Sequence, residues 1–372
     1  MGSSPLSQTL LVTGGAGFVG SALIKSLLAD YPAAAIVSLD NYFTGVVENH
    51  VDDPRVIYID GSTVEIAELW AGRGLPRPEI IFHLGEYSRI VQSFEDHDLT
   101  WEFNLRGTKE VVKFAAAGGA KLIYAGSSSK FGNDGQDENL NPYAWTKAKN
   151  IEYIGNFAEW YGLDYAITYF YNVYGPGQIT SGRYATVIGI FEDHYLRGEP
   201  LPVVSPGTQT RDFTHIDDIV RGIVLVALKG SGDGYLLGTG REWPIIEVAK
   251  LFHAPFEMIP ALRGERVRGQ ADSTKAGELG WRPERSLDEY IASFVATHSR
   301  GSRRSDGRQS DERRSDGRQS DGRQSDERQS NAPRFDARQS DAHRSDARQS
   351  DAHHPESHRP GLHPFGKSDL SD

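Results

Sequence analysis

Short apolar runs alternate with longer amphipathic segments through the first half of this 372-residue chain, and this alternation constrains the fold more than any other feature. The runs that predict strands read TLLVTG, AAIVSLD, RVIYID, IIFHLG, KLIYAG and DYAITYF, and stretches such as SALIKSLLAD and TKEVVKFAAAGG lie between them. Strands that are apolar throughout, separated by helices, are typical of a parallel sheet covered on both faces. Since crossover connections are right-handed, the sequence predicts an α/β fold with a doubly wound parallel sheet.

The composition divides the chain into three parts. The alternating pattern extends over residues 9–174, and from about residue 175 proline, glycine and charge interrupt it. We therefore expect a smaller second lobe over residues 175–297, partly interleaved with the first domain. After Ser299 the chain repeats Arg-Gln-Ser-Asp units with few large apolar residues. Such a segment buries too little surface to offset its chain entropy, so residues 298–372 are predicted to be a disordered tail, interpreted as a spacer rather than a binding segment.

Composition also excludes several classes of protein. The formal net charge of -11 argues against broad nucleic-acid binding. The sequence has no uncharged apolar run of the roughly 18 residues that a membrane span needs, and its N-terminus lacks the apolar core of a signal peptide. It contains no cysteine, which excludes disulfides, thiol nucleophiles and thiolate metal sites. We expect a cytoplasmic protein with no membrane span and no metal site.

The first predicted strand runs directly into a glycine-rich turn and a helix, in the sequence TGGAGFVGSALIKSLL. Gly14, Gly17 and Gly20 recur there at intervals of three residues. Glycine permits positive φ angles and lets the backbone approach a pyrophosphate closely, while the amino end of the following helix attracts the anion. Tight turns use glycine for other reasons too, but the order strand, turn and helix favours a dinucleotide site.

An acidic residue stands where such a site needs one. Asp40 ends the second predicted strand, 20 residues after Gly20. A carboxylate there accepts hydrogen bonds from the adenosine ribose and repels a 2′-phosphate, so it favours NAD over NADP. The alternative is a solvated turn aspartate, which the preceding glycines disfavour. Asp60, after the third predicted strand, is expected to approach the adenine edge.

A tyrosine and a lysine stand four residues apart at Tyr143 and Lys147, and therefore share one face of a helix. A phenol with an ordinary pKa of about 10 is a poor base at neutral pH, but a neighbouring ammonium group stabilises its phenolate. The serines of AGSSSKFG follow a predicted strand, at the sheet edge where ligands bind. The alternative interpretation is that Tyr143 is an exposed helix residue and that the serines cap a loop. Together with the glycine turn and Asp40, the pattern favours a proton-transfer site beside the cofactor.

Over residues 9–297 the sequence resembles extended short-chain dehydrogenase/reductases, in the NAD-dependent nucleotide-sugar epimerase/dehydratase family. The motifs that carry the resemblance are TGGAGFVG, LDNYFTG, HLGEYSRIVQSFED, NLRGT, YAWTK, YNVYGPGQ, RDFTHIDDI and ADSTKAGELGWRP. The resemblance implies a Rossmann domain that binds NAD and a small C-terminal lobe that binds a nucleoside-diphosphate sugar. It also implies a homodimer formed through two helices of each subunit, for which the candidates are TWEFNLRGTKEVVKFAAAGG and NPYAWTKAKNIEYIGNFAEWYG, although the apolar stripes of those helices would equally suit an intrachain core.

The resemblance assigns roles to individual residues. Ser127 matches the catalytic serine or threonine, Tyr143 the base and Lys147 its partner. The implied cofactor-binding residues are Gly14, Gly17, Phe18, Val19, Asp40, Asn41, Asp60, Gly61, Leu84, Asn104, Tyr143 and Lys147. The implied substrate-binding residues are Ser127, Ser128, Asn172, Tyr184, Arg211 and Arg268. The family has an arginine in a later motif that is displaced or lost in this chain. Arg268 is the residue expected to take its place, and Arg263 and Arg266 are the alternatives.

The resemblance implies oxidation of a sugar at C4 as the first step, after which several reactions diverge. A 4,6-dehydratase usually has an Asp-Glu pair after the catalytic serine or threonine, and here Ser128 and Ser129 occupy those positions. An epimerase needs no such pair, so we expect 4-epimerisation of a UDP-sugar. Glu86 is a second source of acid/base chemistry and leaves dehydration or decarboxylation as alternatives. A non-catalytic dinucleotide-binding scaffold is disfavoured because Ser127, Tyr143 and Lys147 are all present.

Overall fold

A computed structural model describes residues 9–135, 137–261 and 267–306. Two sequence predictions lie outside these residues. They are the tail beyond residue 306 and the alternative arginines Arg263 and Arg266.

The described residues contain thirteen strands, numbered in chain order. They are β1 (Thr9–Thr13), β2 (Ala35–Asp40), β3 (Val56–Asp60), β4 (Ile80–His83), β5 (Lys121–Ser127), β6 (Tyr165–Phe170), β7 (Val173–Tyr174), β8 (Leu201–Val204), β9 (Thr210–Asp212), β10 (Thr214–His215), β11 (Gly232–Leu237), β12 (Glu242–Pro244) and β13 (Phe256–Ile259).

The helices of the same residues are α1 (Phe18–Asp30), α2 (Ile66–Gly72), α3 (His97–Thr100), α4 (Thr108–Gly118), α5 (Pro142–Tyr161), α6 (Val187–Arg197), α7 (Ile216–Lys229), α8 (Ile245–Leu251), α9 (Thr274–Glu278) and α10 (Leu287–Asp306). A π-helical stretch, Trp101–Gly107, joins α3 to α4. Helix α10 continues to Asp306, past residue 298, where the disordered tail was predicted to begin.

Seven strands form one parallel sheet in the order β11-β6-β5-β4-β1-β2-β3. The six apolar runs of the sequence are strands β1 to β6, and the predicted doubly wound α/β fold is confirmed. The strand order reverses between β1 and β4, which lie side by side. The carboxyl ends of strands at such a reversal diverge and leave a crevice for ligands.

Helices cover both faces of this sheet. On one face α1 packs with α7, and Leu23, Ile24, Ile219 and Ile223 form a fully buried cluster with Val12 of β1. Each such side chain stabilises the fold by roughly 1.5–3 kcal/mol when it leaves water. On the other face α2, α4 and α5 pack on strand residues of the opposite parity, such as Leu11 and Ile81, as the alternation of side chains along a strand requires.

The second lobe has its own core of buried residues from α6, α8, α10 and short strands, which includes Ile188, Phe191, Phe252 and Ile291. Three two-stranded sheets belong to this part of the chain: β7 with β10, β9 with β12, and β8 with β13. Two elements within this part of the chain return to the first domain. Strand β11 pairs with β6 and forms one edge of the seven-stranded sheet, and α7 packs on α1. Within the described ranges no helix has the length and apolarity to cross a membrane.

Candidate active site

The glycine turn after β1 has close backbone contacts that exclude side chains. Gly14 has a φ of +72°, and a Cβ atom on it would lie 2.8 Å from the backbone of Gly85. A Cβ atom on Gly20 would lie 2.1 Å from the Gly14 carbonyl oxygen. Gly17 is the N-cap of α1 and supplies no side-chain cap, so the first N–H groups of the helix remain available. This cradle fits a dinucleotide pyrophosphate.

Asp40, the last residue of β2, lies beside this turn. Its Oδ2 accepts a hydrogen bond from the Ala16 N–H at 2.9 Å, and its Oδ1 accepts one from the Tyr42 N–H at 2.9 Å. Burial raises the pKa of Asp40, and the two backbone donors oppose that shift. Each oxygen keeps a lone pair for a ribose hydroxyl, so the carboxylate fits the predicted role.

A single cavity of about 480 Å³ extends from the glycine turn to the second lobe. It is lined by most of the site residues that the sequence predicted: Gly14, Gly17, Phe18, Val19, Asp40, Asn41, Gly61, Leu84, Ser127, Ser128, Tyr143, Lys147, Asn172 and Arg211. Cofactor and substrate candidates thus share one cavity.

Tyr143 and Lys147 are positioned by the first turns of α5. The helix begins there because Asn141 caps it, accepting a hydrogen bond from the Ala144 N–H at 2.8 Å, and Pro142 occupies the first turn. Both side chains line the cavity and are buried, with residue exposures of 8% for Tyr143 and 4% for Lys147. Neither is an exposed helix residue, so the alternative of an ordinary surface helix does not hold here.

Ser127 ends β5 at the same cavity. Its Oγ accepts hydrogen bonds from the Ser129 N–H at 3.2 Å and from the Ser129 hydroxyl at 2.8 Å. Ser129 is 2% exposed and does not line the cavity, whereas Ser128 does. The serine cluster therefore contains two side chains that face the cavity and one that supports Ser127 from behind.

Lys147 pairs with Glu86, which follows β4. The ammonium donates to the Glu86 Oε2 in a close ion pair and to the Ala125 carbonyl oxygen at 2.6 Å. The side chains of both charged residues are buried, with exposures of 5% for Lys147 and 1% for Glu86. The sequence suggested acid/base chemistry for Glu86 but gave no sign of this pairing.

The other Glu86 oxygen is also engaged. Oε1 accepts hydrogen bonds from Thr108 Oγ1 at 2.9 Å, Tyr124 Oη at 3.0 Å and Asn150 Nδ2 at 2.8 Å. Donors from α4, β5 and α5 thus converge on one carboxylate oxygen. This network leaves Glu86 poorly placed to exchange protons with a ligand.

On the side of the second lobe, two polar side chains line the cavity. Asn172 lies between β6 and β7, and Arg211 belongs to β9. Asn172 Nδ2 donates to the Asp212 carbonyl oxygen at 2.9 Å, which holds the end of β6 against β9. Arg211 donates to the Thr210 carbonyl oxygen at 2.8 Å. An amide and a guanidinium in this position suit the oxygens of a diphosphate.

Four predicted site residues do not line the cavity. Asp60 is exposed at the end of β3. Asn104 is fully buried and ties the loop after β4 to α5, accepting from the Tyr87 N–H at 2.7 Å and donating to Thr146 Oγ1 at 2.9 Å. Arg268 is an exposed side chain 3.7 Å from Glu242.

Tyr184 is the fourth residue outside the cavity lining, and it belongs to an aromatic cluster. Its ring contacts Phe43 and Tyr87 with centroid distances of 5.3 and 6.3 Å, and its hydroxyl donates to Asp96 Oδ2 at 3.1 Å. The residues that follow it, Ala185 and Thr186, do line the cavity. The segment around Tyr184 therefore borders the site, although Tyr184 itself is not part of the lining.

Sequence reasoning missed a second guanidinium in the cavity, that of Arg89. Its Nε donates to the Tyr184 carbonyl oxygen at 2.7 Å and its Nη1 to the Ser88 carbonyl oxygen at 3.0 Å. Burial lowers the pKa of Arg89, and Tyr143 is the strongest of the neighbours that oppose this shift. Arg89 forms no ion pair with a carboxylate of the described residues. The position of Arg89 in the motif HLGEYSRI could have indicated this, since the motif follows β4 at the edge of the sheet where ligands bind.

Comparisons with known proteins agree with this geometry. The model of the NAD dependent epimerase/dehydratase family matches residues 10–238. The chain is 32% identical to a UDP-glucose 4-epimerase of Mycolicibacterium smegmatis over 306 residues, which cover 77% of this chain and 96% of that protein. It is 31% identical to UDP-glucuronic acid decarboxylase 2 of Arabidopsis thaliana over 315 residues, 77% of this chain and 67% of the relative.

A solved structure extends the comparison. The dTDP-glucose 4,6-dehydratase DesIV of Streptomyces venezuelae, crystallised with NAD, superposes with a TM-score of 0.71 at 30% identity. The match covers 79% of this chain and 98% of that one. Relatives with three different activities thus share the fold.

Proposed function

Because this chain belongs to the NAD-dependent epimerase/dehydratase family and has NAD as its cofactor, we propose that it is a nucleotide-sugar 4-epimerase that acts on a UDP-sugar. The sugar is oxidised at C4, turns over in the site and is reduced again on its other face. When bound, NAD supplies a reversible hydride acceptor for this chemistry. The glycine turn and Asp40 would hold it.

The side chains at the cavity have complementary roles in this reaction. Tyr143 accepts the proton of the C4 hydroxyl and later returns it, while the Lys147 ammonium stabilises the phenolate between these events. Ser127 donates a hydrogen bond to the same sugar oxygen. Asn172 and Arg211 hold the diphosphate, so that the sugar can rotate without leaving the site.

Epimerisation is favoured because the cavity has no carboxylate among its described residues that is free to act as a further acid or base. Among the described residues, the only acidic side chains that line the cavity are Asp40 and Glu86. Asp40 lies beside the dinucleotide turn, and both oxygens of Glu86 are engaged by donors. A 4,6-dehydration needs an additional acid/base group to remove water across C5 and C6, whereas an epimerisation needs only the group that serves C4.

A second candidate is decarboxylation of UDP-glucuronic acid, and Arg89 is the observation that favours it. A guanidinium that has no carboxylate partner among the described residues and lies close to Tyr143 suits the carboxylate of a uronic acid. Oxidation at C4 places a ketone beside the carbon that bears the carboxylate, and carbon dioxide then leaves without a further base. The electron pair of the broken bond remains as an enolate, which takes a proton at C5, and return of the hydride to C4 gives the pentose. Several relatives carry the name of this activity.

The test is incubation of the full-length protein and NAD with a panel of UDP-, GDP-, CDP- and dTDP-sugars that includes UDP-glucuronic acid, with products identified by NMR. A 4-epimer supports the proposal. A UDP-pentose formed from UDP-glucuronic acid would establish the second candidate, and a 4-keto-6-deoxy sugar would overturn both.

We also propose that the protein is a homodimer formed through α5 and the helical stretch from α3 to α4. Trp101 is 43% exposed and stacks on Trp145 with a centroid distance of 5.5 Å. Trp145 itself is half-buried, and large aromatic side chains with accessible surface are enriched at protein interfaces. The two helical segments are those for which the sequence predicts subunit contact.

A further inference from the structure

We propose that Glu86 is a positioning residue for the reaction, and that its carboxylate keeps the Lys147 ammonium charged and fixed beside Tyr143. This inference rests on one part of the proposed function, namely that Lys147 assists proton transfer at Tyr143. It replaces the expectation that Glu86 itself exchanges protons with the sugar.

A lysine ammonium has three N–H donors. The Lys147 Nζ uses one toward Glu86 Oε2 and one toward the Ala125 carbonyl oxygen at 2.6 Å. Because Lys147 also lines the cavity, the third donor is left for a ligand or for the phenolate of Tyr143. Two fixed bonds therefore determine where the third one points.

The Glu86 carboxylate is held by several hydrogen-bond donors. Thr108, Tyr124 and Asn150 each donate to Glu86 Oε1, at 2.9, 3.0 and 2.8 Å. Together with Lys147, four donors converge on this group, and an ionised carboxylate is the form that accepts them all. Asn150 is three residues after Lys147 on α5, so the same helix presents both the cation and one of the donors that hold its counter-ion.

Other titratable groups also lie around the Lys147–Glu86 pair. The Tyr124 ring on β5 lies 4.8 Å from the Lys147 Nζ, and Tyr143 precedes Lys147 on α5. His83 of β4 is fully buried between Thr13 and Thr108, and burial lowers its pKa to about 4, so it is neutral at neutral pH. Glu86 is thus the only one of these neighbours that brings a full negative charge to the ammonium.

A buried ion pair that loses one partner leaves an uncompensated charge, which is strongly unfavourable. A buried ammonium relieves that cost by releasing its proton, because burial disfavours the charged form. Without the Glu86 carboxylate, Lys147 is therefore expected to be neutral over part of the working pH range. In that state it no longer stabilises the Tyr143 phenolate.

The experiment compares the pH dependence of kcat/KM in the wild-type protein and in Glu86→Gln, with whichever nucleotide sugar the panel shows to be turned over. The amide has nearly the shape of the carboxylate but no charge. We expect the alkaline limb to move down by about one pH unit or more, so that the loss of activity is about tenfold greater at pH 9 than at pH 7. The choice of substrate keeps this test independent of whether the reaction is epimerisation or decarboxylation.

Tyr124→Phe is the matched control, because it removes a donor to Glu86 Oε1 and keeps the carboxylate and the aromatic ring. Its alkaline limb should stay where the wild-type limb is. If Glu86→Gln lowers activity by the same factor at every pH, Glu86 has only a structural role and the inference is overturned. A shift of the acid limb to lower pH would overturn it too, since it would mean that Lys147 stays charged.

Stability provides a readout that does not depend on activity. Glu86→Gln and Lys147→Met each leave one buried charge alone, so each should lower the free energy of unfolding in urea. The double variant removes both charges and should recover part of the loss, even if the single variants fold poorly. Losses that simply add in the double variant would contradict the coupling of the two side chains.

Discussion

The hydroxyl of Ser127 illustrates how single residues define the chemistry of this site. A serine hydroxyl has two lone pairs and one proton. The Ser129 N–H and hydroxyl both donate to Ser127 Oγ, at 3.2 and 2.8 Å, and occupy both lone pairs. The proton of Ser127 is therefore directed elsewhere, which suits a donor to the sugar oxygen. Position 129 is where a dehydratase would have a carboxylate, and here it supports its neighbour instead.

For Ser129→Ala, we expect kcat to fall by about threefold to tenfold with little change in KM, because one neutral hydrogen bond to Ser127 is lost. Introduced into Ser127→Ala, the same change should have no further effect, since Ser129 acts through Ser127. Steady-state kinetics of the two single variants, the double variant and the wild type measure this. Ser129→Thr keeps the hydroxyl and is the control. Equal losses in both backgrounds would contradict the prediction.

For Tyr143→Phe, we expect turnover to fall by about 10²- to 10⁴-fold, the usual contribution of a positioned acid/base group. The ring and the backbone are retained, including the bond from the Tyr143 N–H to Ser93 Oγ at 3.3 Å. Binding of NAD, measured by calorimetry, should therefore be unchanged. Turnover near the wild-type rate would refute the assignment of the base.

At the scale of elements, two segments from different parts of the chain are fastened to each other beside the cavity. Arg183 pairs with Glu95 at 2.8 Å and with Asp96 at 3.2 Å. Asp96 also accepts hydrogen bonds from Tyr87 at 2.7 Å and Tyr184 at 3.1 Å. Because the segment that contains Arg183 and Tyr184 borders the cavity, these contacts hold one wall of the site in place.

Asp96→Asn should weaken this wall, because it removes the charge that Arg183 and both tyrosine hydroxyls bind. We expect NAD to dissociate about threefold to tenfold faster, with a smaller change in kcat. Stopped-flow displacement of the cofactor measures the rate. Arg106→Gln breaks an exposed pair with Glu102 on the π-helical stretch and is the control, with no effect expected. Equal rates in Asp96→Asn and the wild type would show that the wall does not limit release.

A histidine links β1, β4 and α4. His83 is fully buried, contacts Thr13 at 2.7 Å and Thr108 at 2.9 Å, and has its pKa lowered by burial to about 4. In the unfolded chain its pKa returns to about 6.5, so the unfolded state binds more protons than the folded state between these values. The free energy of unfolding should therefore fall by about 3 kcal/mol as the pH decreases through this window.

Urea unfolding at several pH values between 7 and 4 measures this loss. In His83→Gln, which titrates in neither state, the part of the slope due to His83 should disappear. A variant with the same pH dependence as the wild type would show that other groups cause the acid sensitivity.

At the scale of the whole molecule, the proposed homodimer depends on exposed aromatic side chains of α5 and of the helical stretch from α3 to α4. Trp101→Glu should dissociate the proposed homodimer, since a carboxylate at the centre of an apolar interface is costly. Sedimentation equilibrium of the full-length protein measures the mass. Leu196→Glu, on α6, changes a side chain that is 57% exposed outside that layer and should leave the mass unchanged. A wild-type protein that is monomeric at all concentrations would contradict the proposal.

Much of the fold and site could be predicted from sequence because the relevant signals are local. The runs that became β1 to β6 are apolar over their whole length, and burial on both faces of a sheet requires this. The glycines of the first turn and Asp40 follow their strands at fixed intervals. Tyr143 and Lys147 share a helix face by their spacing alone. The strand β11 was missed because its sequence, GDGYLL, has glycine at its first and third positions and only three consecutive apolar residues.

The doubly wound sheet, the dinucleotide turn and the tyrosine–lysine pair can be predicted from the amino-acid sequence, because each depends on residues close together along the chain. Three features emerge only when the elements pack: Glu86 pairs with Lys147, 61 residues away, Arg89 faces the same cavity, and β11 returns to the edge of the sheet. The physical reason is that periodicity fixes which face of an element is buried, whereas the charge that meets a buried charge depends on how several elements pack together.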